Sequence, residues 1–211
     1  MCLRLVRCSR WQELTDSLRF HAGLAEALCA PTEFRLLNGA PPIVVGRGTD
    51  DGESLRALET IFDRSPGGGT PLCQHIREVI AQIKAIEPQL RSNAQKAVVI
   101  IATDGESSDG NIADAMRPLE GMPVWVVVRL CTDEENISEY WNSVDSQIEV
   151  EMDVIDDLVG EAKEISRVNN WLTYGEPLQR LREWGVHMKE MDLIDEKKLT
   201  ADQMRGVCAL L

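Results

Sequence analysis

The sequence predicts an α/β fold with a mostly parallel, Rossmann-like sheet flanked by helices, and three observations predict it. Ala97-Val98-Val99-Ile100-Ile101-Ala102 and Val124-Trp125-Val126-Val127-Val128 are uncharged apolar runs rich in β-branched residues, as in strands buried on both faces. Apolar residues recur at helical spacing before, between and after these runs. Strand-like and helix-like segments therefore alternate through short loops, the order of βαβ units. This pattern covers residues 1–156; residues 157–211 read as a helical C-terminal extension.

Each element has its own local signal. Ser9-Arg10-Trp11-Gln12 has the form of a capping box, and Trp11, Leu14, Leu18, Ala22, Ala25 and Leu28 continue a helix that stops before Pro31. Glu33 to Leu37 and Ile43-Val44-Val45 are short strands. Asp50 is placed to cap a helix through Leu55, Leu58, Ile61 and Phe62. Thr70-Pro71 has the look of an N-cap with Pro at N1, opening a helix through Leu72, Ile76, Val79, Ile80 and Ile83 that ends before Pro88. Ala97–Ala102 then forms an interior strand. A helix over 112–119, the strand from Val124 and a short helix over 137–141 follow.

In the extension, Leu158, Ala162, Ile165 and Val168 make one helical stripe. Pro177, Leu178, Leu181 and Trp184 make another, closed by Gly185. Thr200-Ala201-Asp202-Gln203 caps a last helix carrying Met204, Val207, Cys208 and Leu211.

Composition bounds the function. At 211 residues there is room for one domain with a substantial core and a small appendage. A net charge of −13 argues against nucleic acid or an anionic membrane as partner. The charge is uneven: residues 1–110 hold 12 Lys+Arg against 14 Asp+Glu, leaving 10 against 21 for residues 111–211. Six cysteines without a CxxC pair and three scattered histidines give no zinc spacing and no disulfide framework, so a reducing, cytoplasmic setting is expected. No apolar run approaches the roughly 20 residues of a membrane span.

Chemistry converges on the end of the first long strand. Thr103-Asp104-Gly105 stops the apolar run and leaves a carboxylate at the strand's C-terminal edge, where open parallel sheets bind ligands. The other informative stretch is Ser65-Pro66-Gly67-Gly68-Gly69-Thr70-Pro71-Leu72, whose glycines allow a close backbone approach. It is no P-loop, since no Lys follows the glycines, and no GxSxG elbow exists anywhere.

GGGTPL followed by TDGESSDG, in this order in an α/β chain, resembles the von Willebrand factor A (vWA) domain family. The resemblance implies a non-enzymatic interaction module that binds a protein partner through a metal-ion-dependent adhesion site, usually with Mg²⁺. It puts Thr70 in the metal-site threonine position and Asp104 in the aspartate position. Gly69, Gly105, Glu106, Ser107 and Ser108 would line the recognition surface, and an acidic side chain of the partner would complete the metal site. Mg²⁺ suits such oxygen donors.

The family's DxSxS, which should end the first strand, is absent. In the family Met often follows it, so Met1 is expected to stand just after the lost motif. The first central strand and up to three ligands would go with it, leaving Mg²⁺ weakly held and a sheet edge open to another chain.

Two rivals follow from the same residues: a metal-independent scaffold, and a metal-dependent hydrolase using Asp104. Finally, Cys208-Ala209-Leu210-Leu211 matches a prenylation box. The same residues complete the last amphipathic stripe, and packing is the favoured role.

Overall fold

A computed structural model describes residues 9–48, 52–132, 134–186, 191 and 193–208. Backbone contacts divide the chain between Thr70 and Pro71, and the helices beyond residue 157 group with the parallel sheet in the second unit.

In the first unit the capping box forms as the sequence predicts. Ser9 Oγ accepts from the Gln12 N–H, and Gln12 Oε1 accepts from the Ser9 N–H at 2.9 Å. Helix α1 (Arg10–Leu28) ends on Cys29 in the left-handed region. Strands β1 (Thr32–Phe34) and β2 (Ile43–Val45) pair antiparallel, and α2 (Glu53–Phe62) follows. Ala22, Val45, Leu58 and Phe62 form the core, with Leu18, Phe34, Ile43 and Leu55 packed around it. These two strands make a sheet of their own. Asp50, expected as the α2 cap, lies outside the described residues.

The second unit is a mixed α/β arrangement around a three-stranded parallel sheet, β3 (Ala97–Thr103), β4 (Val124–Leu130) and β5 (Met152–Ile155), in the order β3-β4-β5. The register sets Ala97 beside Val124 and Thr103 beside Leu130. Helix α3 (Leu72–Ser92) precedes β3, α4 (Ile112–Met116, continuing as a 3₁₀ turn to Leu119) links β3 to β4, and α5 (Glu135–Gln147) links β4 to β5. Helices α6 (Leu158–Val168), α7 (Glu176–Glu183) and α8 (Ala201–Cys208) complete the unit.

The interior strand is β4, buried at all seven positions. Strand β3, expected inside the sheet, is its outer strand among the described residues, with Val98 46% and Ile100 37% exposed. An uncharged β-branched run fits a sheet edge as well as a sheet centre, because composition alone does not count neighbours. Strand β5 was not anticipated. Its four residues include Asp153, which breaks the apolar pattern and is used to hold a buried arginine.

Helix α3 also departs from expectation. It runs through Pro88 to Ser92, because Pro88 is exposed and water can take the carbonyl left unpaired by the missing N–H. The helix is anchored earlier by buried Ile76, Ile80 and Ile83. Its N-cap position falls on Pro71, which makes no side-chain cap bond, rather than on Thr70.

The α6 stripe packs inward through Ile165 as predicted. The α7 stripe does so only at Leu178: Pro177 is exposed, and Gln179, Arg182 and Glu183 are buried instead, because that face holds ion pairs. Ile165, Leu172, Tyr174, Leu178, Met191, Ile194, Leu199 and Val207 form one core, with Leu158, Ala162 and Met204 at its margin. On the sheet face that carries Trp125 and Val127, the turn after α7 lies against β3. A Cβ on Gly185 would stand 2.3 Å from Val98 Cγ1, and φ is +83° there, so the position suits glycine on both counts.

Candidate functional site

The loop Asp104–Gly110 leaves the C-terminal end of β3 and is held at three points. At its start, Thr103 Oγ1 donates to the Gly105 carbonyl at 3.0 Å and accepts from the Gly105 N–H, closing a tight turn. Trp141 of α5, fully buried, donates from Nε1 to the same carbonyl at 3.3 Å. At its far end Asp109 reaches the N-terminus of α3, accepting from the Cys73 N–H at 2.9 Å and the Gln74 N–H at 2.8 Å.

Those two amides are donors that a helix cannot satisfy internally. The carboxylate also meets the positive end of the helix dipole. Ser107 completes the clasp, donating from Oγ to Asp109 Oδ1 at 2.7 Å, with the Cys73 sulfur 3.2 Å from the same hydroxyl. Desolvation pushes the Asp109 carboxyl up. The bonds from Ser107, Cys73 and Gln74 outweigh it and hold the group at about 2, below its ordinary 3.8.

The loop's remaining polar groups face outward. Asp104, Glu106 and Ser108 are exposed, while Gly105 and Ser107 are half-buried. Beside them opens a cleft of about 250 Å³, lined by Glu106, Ser107, Asn111, Tyr140, Ser143 and Gln147 among others. Burial raises the Tyr140 phenol, and the nearby Glu106 carboxylate adds to the rise. Asn111 is committed to the fold, since its Oδ1 caps α4 by accepting from the Asp114 N–H at 3.1 Å.

Thr70 and Gly69 end the first unit, and Asp104 to Ser108 belong to the second. Within the first unit the glycine-rich stretch makes the close approach its composition predicts. Asn38 Nδ2 donates to the Gly69 carbonyl at 2.7 Å, and a Cβ on Gly68 would lie 2.6 Å from the Asn38 side chain.

Within the second unit the loop's donor set for a hard cation is thin. Ser107 and Asp109 spend their oxygens on α3, which leaves Asp104 and Glu106 as carboxylates, against the near-octahedral shell that Mg²⁺ requires. Among the described residues, no three His, Cys, Asp or Glu side chains converge into a metal-holding group. The Cys208 side chain and residues 209–211 lie outside the described residues.

A second polar centre escaped the sequence reading altogether. Arg182 of α7 is 2% exposed and faces three carboxylates: Glu161 of α6, in direct contact, and Asp153 of β5 and Asp195, each at 3.3 Å. Glu161 Oε1 also accepts from the Asp156 N–H at 2.9 Å. Burial lifts the Glu161 carboxyl from 4.5 to about 7, against the opposing pull of Arg182. Tyr174 donates to Gln179 Oε1 at 2.7 Å, and its phenol is likewise raised by burial.

Alongside, Arg129 Nε donates to Glu183 Oε1 at 3.2 Å, both side chains being buried. Every buried charge here has a partner of opposite sign, so the cluster fastens α6 and α7 to the sheet. Glu161 was visible only as an interruption of the α6 stripe. No local pattern marks an arginine that three separate segments will surround.

The fold and the loop define a class, an α/β protein whose three-stranded parallel sheet is flanked by helices, compatible with a Rossmann-like architecture. No family model matches the sequence, and no curated protein is similar to it. No helix among the described residues is long and apolar enough to cross a membrane.

Proposed function

We propose that this chain is a non-enzymatic protein-interaction module of the vWA kind, docking a partner at the C-terminal edge of the parallel sheet. One observation carries the reading: the loop after β3 is pinned at both ends yet turns Asp104, Glu106 and Ser108 outward beside a polar cleft. A rigid loop with exposed polar side chains loses little entropy on binding, which favours recognition. Catalysis is the poorer reading, because the hydroxyl and thiol beside the loop are bonded into the Asp109 clasp rather than to a free base.

In the metal-bearing form of this reading, Asp104 supplies a carboxylate to Mg²⁺, and a partner's acidic side chain adds a further oxygen. In the metal-independent form Asp104 and Glu106 meet the partner directly.

Thermal melting with millimolar Mg²⁺ or Mn²⁺ separates the two forms. A rise that Asp104→Ala abolishes supports the metal, since a ligand of the folded state must stabilise it. No rise supports direct docking. A photo-crosslinker placed at Ser108 in cells should give a discrete protein adduct that Asp104→Ala weakens. Turnover of a generic phosphate ester, lost in Asp104→Ala, would replace the module with a hydrolase.

A further inference from the structure

The outer side of β3 supports an inference apart from partner docking, one that shares Asp104 with the docking loop. Ala97 donates its N–H to the Pro123 carbonyl at 2.8 Å, and the Thr103 carbonyl accepts from Cys131 at 2.8 Å, so odd-numbered residues of β3 turn their backbone groups toward β4. By the period of two, Val98, Ile100 and Ala102 turn theirs the other way, where no described strand pairs with them. The same strand exposes Val98 and Ile100 on one face, an apolar edge of the kind that pairs with another strand.

We propose that a second copy of this chain pairs with that edge, β3 to β3 and antiparallel about a two-fold axis through Ile100. An axis on a residue, rather than between two, brings outward backbone groups face to face, and Ile100 is the middle residue of the strand. In this register Ile100 meets its own counterpart, and Val98 meets the second copy's Ala102. Lys96 then stands opposite the second copy's Asp104, once at each end of the pair.

That charge match, of one basic and one acidic residue equidistant from Ile100, selects a second copy over an arbitrary strand. Asp104 is exposed, and Lys96 is 44% exposed beside Glu151 of its own chain, so both can reach across. The pairing joins two three-stranded sheets into one and covers Val98 and Ile100. One strand edge is small beside the ~1,600 Å² of a standard stable interface, so the dimer depends on concentration.

Sedimentation velocity on the full chain, from low micromolar to near-millimolar, should show a monomer–dimer equilibrium. Lys96→Glu and Asp104→Lys each set like charges opposite one another twice and should weaken the dimer about tenfold. The double variant Lys96→Glu/Asp104→Lys should recover it. Both sites are on the surface, and unchanged melting temperatures at low concentration would confirm that the monomers are intact.

Hydrogen exchange supplies a readout that does not rely on substitution. The Val98, Ile100 and Ala102 amides should exchange quickly in dilute protein and slowly in concentrated protein. A monomer at every concentration overturns the proposal, as does a dimer indifferent to the charge reversals. Amides protected equally at all concentrations would mean that the chain covers its own edge, which overturns it too.

Discussion

The carboxylate of Asp109 accepts the backbone N–H of Cys73 at 2.9 Å, so a loop after one strand caps a helix 36 residues upstream. The bond does two jobs. It satisfies amides at the start of α3, and it fixes the far end of the loop that exposes Asp104, Glu106 and Ser108.

Asp109→Ala should lower the melting temperature by roughly 2–4 °C, the usual loss of a cap in a protein of this size. Its pH signature has a definite sign. The folded carboxyl sits at about 2, below the ordinary 3.8, so its contribution is complete above 3.8 and disappears as pH falls through 2. Acid titration of the melting temperature should show a shallower fall in Asp109→Ala than in the wild type.

Glu161 acts in the opposite sense. Its folded value of about 7 lies above the ordinary 4.5, so the folded state binds the proton more tightly. The contribution is full below pH 4.5 and is lost as pH rises through 7. Arg182 contacts it directly, and Asp153 and Asp195 share that arginine. Urea unfolding at pH 5 and pH 8 should show a fall on the order of 2–3 kcal/mol from this group. Glu161→Gln, which keeps the acceptor for the Asp156 N–H, should flatten most of that fall.

Arg182→Met leaves three carboxylates without their shared cation. A loss of about 3–5 kcal/mol is expected in chemical denaturation at pH 8, the scale for breaking a buried ion pair from one side. The loss should shrink when Glu161→Gln is combined with it, because one stranded charge has then been removed.

Gly185→Ala tests the contact between the turn after α7 and β3. A methyl group there collides with Val98 at a backbone angle unfavourable to alanine, and a loss of about 1–3 kcal/mol is expected by thermal melting. The double variant Gly185→Ala/Val98→Ala should recover part of it, separating the collision from the backbone strain.

Much of the fold was legible because local chemistry writes it. Ser9 and Gln12 spell out a capping box, and the box forms. The apolar run from Val124 is a fully buried strand. The stripe through Ile165 is the core-facing side of α6, and of the α7 stripe Leu178 is the buried member. Where a signal was ambiguous, the sequence reading followed the nearest residue in the chain: Thr70 looked like the α3 cap because it precedes Pro71. A carboxylate from a distant loop supplies that cap instead, and helical amides accept any well-placed oxygen whatever its distance along the chain.

The candidate site divides in the same way. That a carboxylate and small polar residues gather at the end of β3 followed from the sequence, because an apolar run must stop and Thr-Asp-Gly stops it. Which of these side chains is spent on the fold and which is left to face outward did not follow. Asp104 and Asp109 are the same residue type five positions apart, and only the second has helix amides within reach. Periodicity, turns and local caps thus settled which segments are helices and strands, since those depend on neighbours in the chain. Tertiary structure alone made β3 an outer strand among the described residues and gathered three carboxylates around Arg182, because both depend on which distant segments fill the space beside a residue.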